Sequence, residues 1–192
     1  MDKPVTLWWV RHGPTHAKTM VGWTDLPADL SDRAQLDRLR AYLPDAPVVC
    51  SDLLRARQTA DAVAGGRPRL AALPDLREIH FGRWENRPWA EIDAEDPRRC
   101  RAFWETPGSV AAPGGESWDA LCARVNGAVA ALHGRHDDII VVAHFGVILT
   151  QIQRARGIPA VDCFAQPIDN LSVTRLHFDG VRWRADTINH RP

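Results

Sequence analysis

The sequence carries no charge excess: lysine plus arginine number 24, and aspartate plus glutamate also number 24. A chain so balanced has no broad cationic face for nucleic acid or for an anionic membrane. It also lacks paired cysteines. Cys50, Cys100, Cys122 and Cys163 are scattered, with no CxxC spacing, so neither a zinc motif nor a disulfide framework is visible. Free, mostly buried thiols in a reducing compartment are the expectation. A long apolar run is missing as well, since the longest, Ile139 to Leu149, is interrupted by His144 and is too short to span a bilayer. The opening residues Met1-Asp2-Lys3-Pro4 show no signal-peptide pattern, and no repeat or low-complexity stretch occurs. Together these absences predict a soluble cytoplasmic protein with neither nucleic acid nor membrane as a partner.

What is present is ordinary globular composition, with 45% hydrophobic and 25% charged residues in a chain of 192. That length suits one domain with a substantial core and an excursion from it. The first stretch with structure, Leu7-Trp8-Trp9-Val10, reads as a buried strand with Trp8 and Trp9 on opposite faces. It ends at Arg11-His12-Gly13-Pro14. Ser31 is the expected N-cap of a helix to about Leu43, with Leu36, Leu39 and Leu43 on one face. Val48-Val49-Cys50 reads as a second strand, followed by a helix from about Leu53 to Ala64 that stops at Gly65-Gly66. Ser117 opens a helix through Leu132 that Gly134 closes. Ile139 to Ala143 is a β-branched run typical of a central parallel strand, ending at His144, and the helix after it stops at Gly157. Leu171–Phe178 and Val181–Ile188 flank Asp179-Gly180 as a hairpin.

This order predicts a three-layer αβα sandwich with a mainly parallel sheet. The stretch at about 74–113, with Trp84, Trp89, Trp104 and a cluster at Arg98, Arg99 and Arg101, reads as a small helical excursion over the sheet's carboxyl edge. Short helices are expected in it near Trp89–Glu91 and Pro97–Trp104, with most of its tryptophans packing and the arginines on a solvated face. The whole chain, 1–192, is then expected to be a single domain with this segment inserted.

Parallel strands place their carboxyl ends along one edge, where ligands of open α/β sheets bind. Arg11-His12 follows the first strand, Ser51 and then Arg55 the second, and His144 the Ile139 strand. Two arginines and two histidines converging there would form a donor-rich cavity suited to phosphate. Phosphoryl transfer also needs a proton donor for the leaving oxygen, and Glu78, shortly before Gly82, is the candidate.

Arg11-His12-Gly13, the run Ser51 to Ala60, Glu78 with Gly82, Pro113-Gly114-Gly115-Glu116-Ser117 and Val142-Ala143-His144 together resemble the histidine phosphatase superfamily. Phosphoglycerate mutases and many small phosphomonoesterases belong to it. The similarity runs from residue 5 to roughly residue 150. The resemblance implies that His12 is the nucleophile that becomes phosphohistidine, that Arg11, Arg55 and His144 hold the phosphoryl oxygens, and that Glu78 is the general acid. It implies substrate contacts at Gly13, Thr15, Lys18, Gly22 and Phe145, no metal or other cofactor, and a small phosphorylated substrate as partner. Oligomeric state stays open, a homodimer included. Neutral His12 would attack in line with its other nitrogen held by a hydrogen bond. Glu78 should begin protonated through burial, and a phosphate dianion would favour protonated His144.

Three positions depart from the pattern: Lys18 stands near a frequent Asn, Phe145 replaces a frequent Gly, and Val21 replaces a Thr-like residue before the loop glycine. Gly82-Arg83-Trp84-Glu85 and the short excursion look more like small phosphatases such as α-ribazole phosphatases than like mutases, whose longer insertions shelter the phosphoenzyme. Hydrolysis is therefore the expected activity. The alternatives are mutase-type transfer and a non-catalytic phosphate-binding module. A metal site at His133, His136 and Asp137 is outweighed by a solvated turn, His16 and His80 read as pocket rim, and Arg57 as surface. Glu116 reads as support for a helix start.

Overall fold

The computed structural model describes residues 3–192; Met1 and Asp2, at the opening that lacked a leader pattern, lie outside the described residues. Five strands form one sheet in the order β2 (Val48–Cys50), β3 (Asp138–Ala143), β1 (Val5–Arg11), β4 (Val173–Phe178) and β5 (Trp183–His190). β1 and β2 both pair with β3 in parallel, while β4 runs antiparallel to β1 and to β5. Only β4 therefore opposes the rest, and the expected mainly parallel sheet is what forms.

Side-chain alternation divides two cores across the sheet. Leu7, Trp9, Ile139, Val141 and Ala143 face one core; Val10, Val48, Ile140 and Val142 face the other. All nine are completely shielded from solvent, as a strand covered by helices on both faces requires. Helices α1 (Arg33–Tyr42) and α2 (Leu54–Ala64) cover the second face. On the first lie α5 (Trp118–Ala130), α6 (Phe145–Arg156) and the covering segment, which holds α3 (Trp89–Glu95) and α4 (Pro97–Glu105). The short α7 (Ala160–Phe164) packs beside α6. Trp9 and Trp8 do part to opposite sides, Trp8 donating to Asp138 Oδ1 at 2.7 Å.

Local chemistry explains where the elements differ from expectation. The N-cap of α1 is Asp32 and not Ser31: its carboxylate accepts from Gln35 N, while the Ser31 N–H bonds Asp29 Oδ1 two residues back. Ser117 caps α5 as expected, but α5 ends at Ala130, and Leu132 stays buried in the turn that follows. Gly157 ends α6 in the left-handed conformation that glycine adopts without steric cost. Arg98, Arg99 and Arg101 are exposed on α4, Arg57 is exposed on α2, and Trp89 is largely exposed while Trp84 is buried. Among the described residues no helix is long and apolar enough to cross a membrane.

Candidate active site

The register Arg11↔Ala143 and Cys50↔Val142 sets the ends of β1, β2 and β3 side by side. His12 follows β1, its N–H bonded to Ala143 O at 3.0 Å and its carbonyl receiving Asn170 Nδ2 at 2.7 Å. Its Nδ1 lies 2.7 Å from Gly13 O. A carbonyl only accepts, so Nδ1 carries the proton and Nε2 keeps a lone pair. Arg55 Nε donates to that nitrogen at 3.3 Å. Burial pulls the His12 pKa down to about 3, with the Arg55 and Arg11 charges adding to it and the Gly13 bond opposing. The ring is a neutral imidazole with a directed lone pair.

Arg55, on the first turn of α2, is 1% exposed. Its terminal nitrogens bond Gly22 O at 2.6 Å and Thr24 O at 2.8 Å. Arg11 is held from the other side, with Nη1 on Ile168 O at 2.6 Å and its guanidinium carbon 5.4 Å from the centre of the Phe145 ring. Thr59 links the loop after β1 to α2, its hydroxyl accepting from Gly13 N and donating to Arg55 O.

Glu78 reaches in from the covering segment. Its Oε1 accepts from Ile79 N at 2.9 Å and its Oε2 from Gly146 N at 3.0 Å, at the start of α6. Burial raises its pKa against those two bonds and the Arg55 and Arg11 charges. A Cβ on Gly146 would stand 2.5 Å from Glu78 Oε1, so only glycine admits the carboxyl there. His144, the N-cap residue of α6, is fully buried 5.0 Å from the His12 ring between centroids, and neither ring nitrogen has a hydrogen-bond partner. Burial, then competition with the neighbouring His12 for a proton and the Arg55, Arg11 and Arg124 charges, push its pKa well below the usual imidazole value. Protein charges alone keep His144 neutral; the protonated form expected from the sequence needs the opposite charge of a phosphate.

Arg11, His12, Arg55 and Glu78 line a cavity of about 170 Å³ whose other walls are Thr15, Ala17, Thr19 and Val21. In this irregular loop, where His16 takes a positive φ of 56°, the odd-numbered residues from Thr15 to Val21 line the cavity, while Lys18 and His16 are exposed. Lys18 is exposed and outside the lining, and His16 pairs with Asp29 at 2.8 Å. Gly13 and Gly22 act through backbone carbonyls, on His12 and on Arg55. Phe145 backs Arg11 and, with Phe81, Phe103, Trp104, Trp118 and Phe164, lines a narrow apolar slot on the far side of Glu78. His80 stacks on Trp23 at 4.5 Å.

Sequence reasoning missed several groups. Glu85 gathers five donors, the N–H groups of Gly22, Trp23, Thr24 and Phe81 and the Thr24 hydroxyl, and so shapes the loop whose carbonyls hold Arg55. Glu116 does not merely serve the start of α5; it forms a forked pair with Arg124 at 2.8 and 2.7 Å. Asn170 and Thr59 had no signal, because a lone amide or hydroxyl far along the chain marks nothing. Among the described residues no group of three His, Cys, Asp or Glu side chains is arranged to hold a metal ion. The arrangement sets a neutral imidazole, two fixed cations and a carboxyl of raised proton affinity around one anion-sized cavity, with a second histidine buried behind His12 and outside the lining.

Comparison with known proteins points the same way. The model of the histidine phosphatase superfamily (branch 1) matches residues 7–191. The adenosylcobalamin/alpha-ribazole phosphatase of Salmonella typhimurium is 36% identical over 165 residues, 80% of this chain and 81% of that protein. Bacillus stearothermophilus YhfR superposes with a TM-score of 0.87 at 30% identity, covering 97% of both chains. A mycobacterial glucosyl-3-phosphoglycerate phosphatase superposes at 0.82 and 29% identity, over 98% of this chain and 100% of that one.

Proposed function

The chain belongs to the histidine phosphatase superfamily, and we propose that it hydrolyses a small-molecule phosphate monoester through a phosphohistidine on His12. The observation that carries this reading is the tautomer of His12: Nδ1 is tied to Gly13 O, and Nε2 faces the cavity shared with Arg11, Arg55 and Glu78. Nucleophilic attack needs the Nε2 lone pair, which a phosphate must take over from the Arg55 Nε–H that bonds it at 3.3 Å. Arg11 and Arg55 stabilise charge on the equatorial oxygens without reorganising, and His144 joins them once the phosphate favours its protonated form. Glu78, protonated by virtue of burial, gives its proton to the departing alkoxide. It then takes one from the water that attacks the phosphoenzyme. No step calls for a metal.

In this reading Thr15 contacts substrate from the cavity wall, Gly13, Gly22 and Phe145 act behind the lining, and Lys18 meets only what projects past the rim. Residues 1–192 act as one domain with the segment near 74–113 as its cover, in the cytoplasm, with neither nucleic acid nor membrane as partner; a homodimer is compatible with it. Relatives acting on α-ribazole phosphate, phosphoserine and glucosyl-3-phosphoglycerate support hydrolysis over mutase transfer.

The test is phosphate release by the wild type, His12→Ala and Glu78→Gln over nucleotides, sugar phosphates, phosphoglycerates and α-ribazole phosphate, with chelator present. Turnover abolished by His12→Ala and cut about 10²-fold or more by Glu78→Gln is expected. Phosphoglycerate isomerisation without phosphate release would instead make the chain a mutase, and undiminished function in His12→Ala would make it a binding module.

A further inference from the structure

Arg124, on α5, is almost out of solvent, and all five of its N–H donors are engaged. Nε and Nη2 bond the two Glu116 oxygens at 2.8 and 2.7 Å. Nη1 reaches Asp75 O and Arg77 O, both at 2.9 Å, and Nη2 also reaches Glu78 O at 3.3 Å. Glu116 completes the grip, for its Oε2 accepts from His80 N at 2.9 Å and its own N–H bonds His80 O at 2.8 Å.

The ion pair thus fastens the backbone on both sides of Glu78 and at Glu78 itself. A second forked pair, Arg77 with Asp52 at 2.7 and 2.6 Å, ties down the preceding side chain, and Trp23 Nε1 donates to Glu78 O at 2.8 Å. Among the described residues, however, Arg124 is the one charged group bonded to the Glu78 backbone itself, which lies between two short 3-10 turns, Pro74–Leu76 and Gly82–Trp84. A carboxyl on an irregular loop must still present its proton to within a few tenths of an ångström of the leaving oxygen. Arginine is the residue for this, since its planar fork serves a carboxylate and several carbonyls at once, which a lysine's single ammonium cannot.

We propose that Arg124 and Glu116 are positioning residues for the general acid, an inference that rests on the phosphatase reading above. Their role is specific to one half of the chemistry. They hold Glu78 in place and bond neither His12, Arg11 nor Arg55, and Arg124 reaches His144 only through its charge, so their effect falls on proton delivery more than on phosphate capture.

Leaving-group dependence separates that role from mere support of the fold. p-Nitrophenolate departs without a proton, whereas the alkoxide of glycerol 2-phosphate does not. We therefore compare kcat/KM for these two esters in the wild type, His12→Ala, Glu78→Gln, Arg124→Lys and Glu116→Gln. Glu78→Gln should lose about 10²-fold or more on the alkyl ester and little on the aryl ester. Arg124→Lys and Glu116→Gln should repeat this selectivity at about 10-fold, and Arg124→Met should lose more than Arg124→Lys. Equal losses on both esters, or none on either, would overturn the inference while leaving the phosphatase reading intact. A wild type silent on both esters, or an undiminished His12→Ala, would defeat the phosphatase reading and this inference with it. Thermal melts accompany each variant; should Arg124→Lys fail to melt cooperatively, Glu116→Gln, which keeps the side chain's shape, decides.

Discussion

Arg55 Nε sits 3.3 Å from His12 Nε2, a fixed cation directed at the lone pair of that ring. The contact does two things at once. It aims the ring, and with burial it denies His12 a proton, so that the pKa falls to about 3. The ring then stays neutral at pH values above about 3.

This has a consequence for stability. In the unfolded chain the imidazole protonates near 6.5, whereas in the folded chain it resists until about 3. Between those values the unfolded state binds more protons, so stability falls as pH drops through the window. His12→Asn removes that contribution. Urea denaturation of wild type and His12→Asn at pH 7, 5.5 and 4.5 should show the variant losing less stability on acidification. Some acid sensitivity will persist, because His144 is buried neutral as well. Parallel losses in the two proteins would show that His12 is not protected from protonation.

Gly146 is the second constraint. Its N–H bonds Glu78 Oε2 at 3.0 Å, and an added Cβ would meet Glu78 Oε1 at 2.5 Å. Gly146→Ala gains helix propensity of about 1 kcal/mol, yet it must push the acid aside. Displacement by about an ångström costs on the order of 10²-fold in rate. We expect kcat/KM on alkyl phosphates to fall by that factor with the melting temperature almost unchanged. Retained activity would mean that Glu78 acts from another position.

Glu85 offers a prediction about phosphate capture. One carboxylate receives five donors, four of them backbone N–H groups, and the loop it organises presents Gly22 O and Thr24 O to Arg55. In Glu85→Gln one acceptor oxygen becomes a donor facing other donors. The loss should be about 1–3 kcal/mol in stability, as expected when buried donors lose their acceptor. Arg55 should also loosen, so activity should fall on p-nitrophenyl phosphate and on alkyl esters alike. A deficit confined to alkyl esters would assign Glu85 to the acid instead.

Much of this was legible in the sequence, for identifiable reasons. β3 announces itself because a β-branched run buried on both faces has few alternatives, and Gly157 because few residues other than glycine end a helix in the left-handed region. Arg11, His12 and His144 could be brought together from topology alone, since parallel strands share an edge. Lys18 could not be placed, because nothing in an irregular loop tells which alternate residues face inward. Ser31 and Asp32 are equally good caps by residue type, and it is the helix start at Arg33 that puts the Asp32 carboxylate against Gln35 N. Arg124 was invisible for another reason. Its partners are mostly carbonyls, and a carbonyl has no letter in a sequence.

The last prediction concerns the acid itself. Burial raises the Glu78 pKa above its ordinary 4.5, so above that value the folded state holds a proton that the unfolded chain has released. The sign is opposite to that of His12: the unfolded state now binds fewer protons, and stability declines as pH rises from about 4.5 toward the folded-state value. Glu78→Gln cannot ionise and removes the decline. It does so at a constant cost, because the carboxyl accepts N–H bonds at both oxygens, from Ile79 and Gly146, and an amide accepts at only one. That lost bond should cost about 1–3 kcal/mol at every pH. The variant should therefore be less stable than wild type near pH 4.5 and gain on it steadily as pH rises, in urea denaturation followed at several pH values. A difference independent of pH would mean that Glu78 ionises in the folded protein as readily as in water. A carboxylate of that kind arrives at the leaving oxygen without a proton to give, and the assignment of Glu78 as general acid would fall with it.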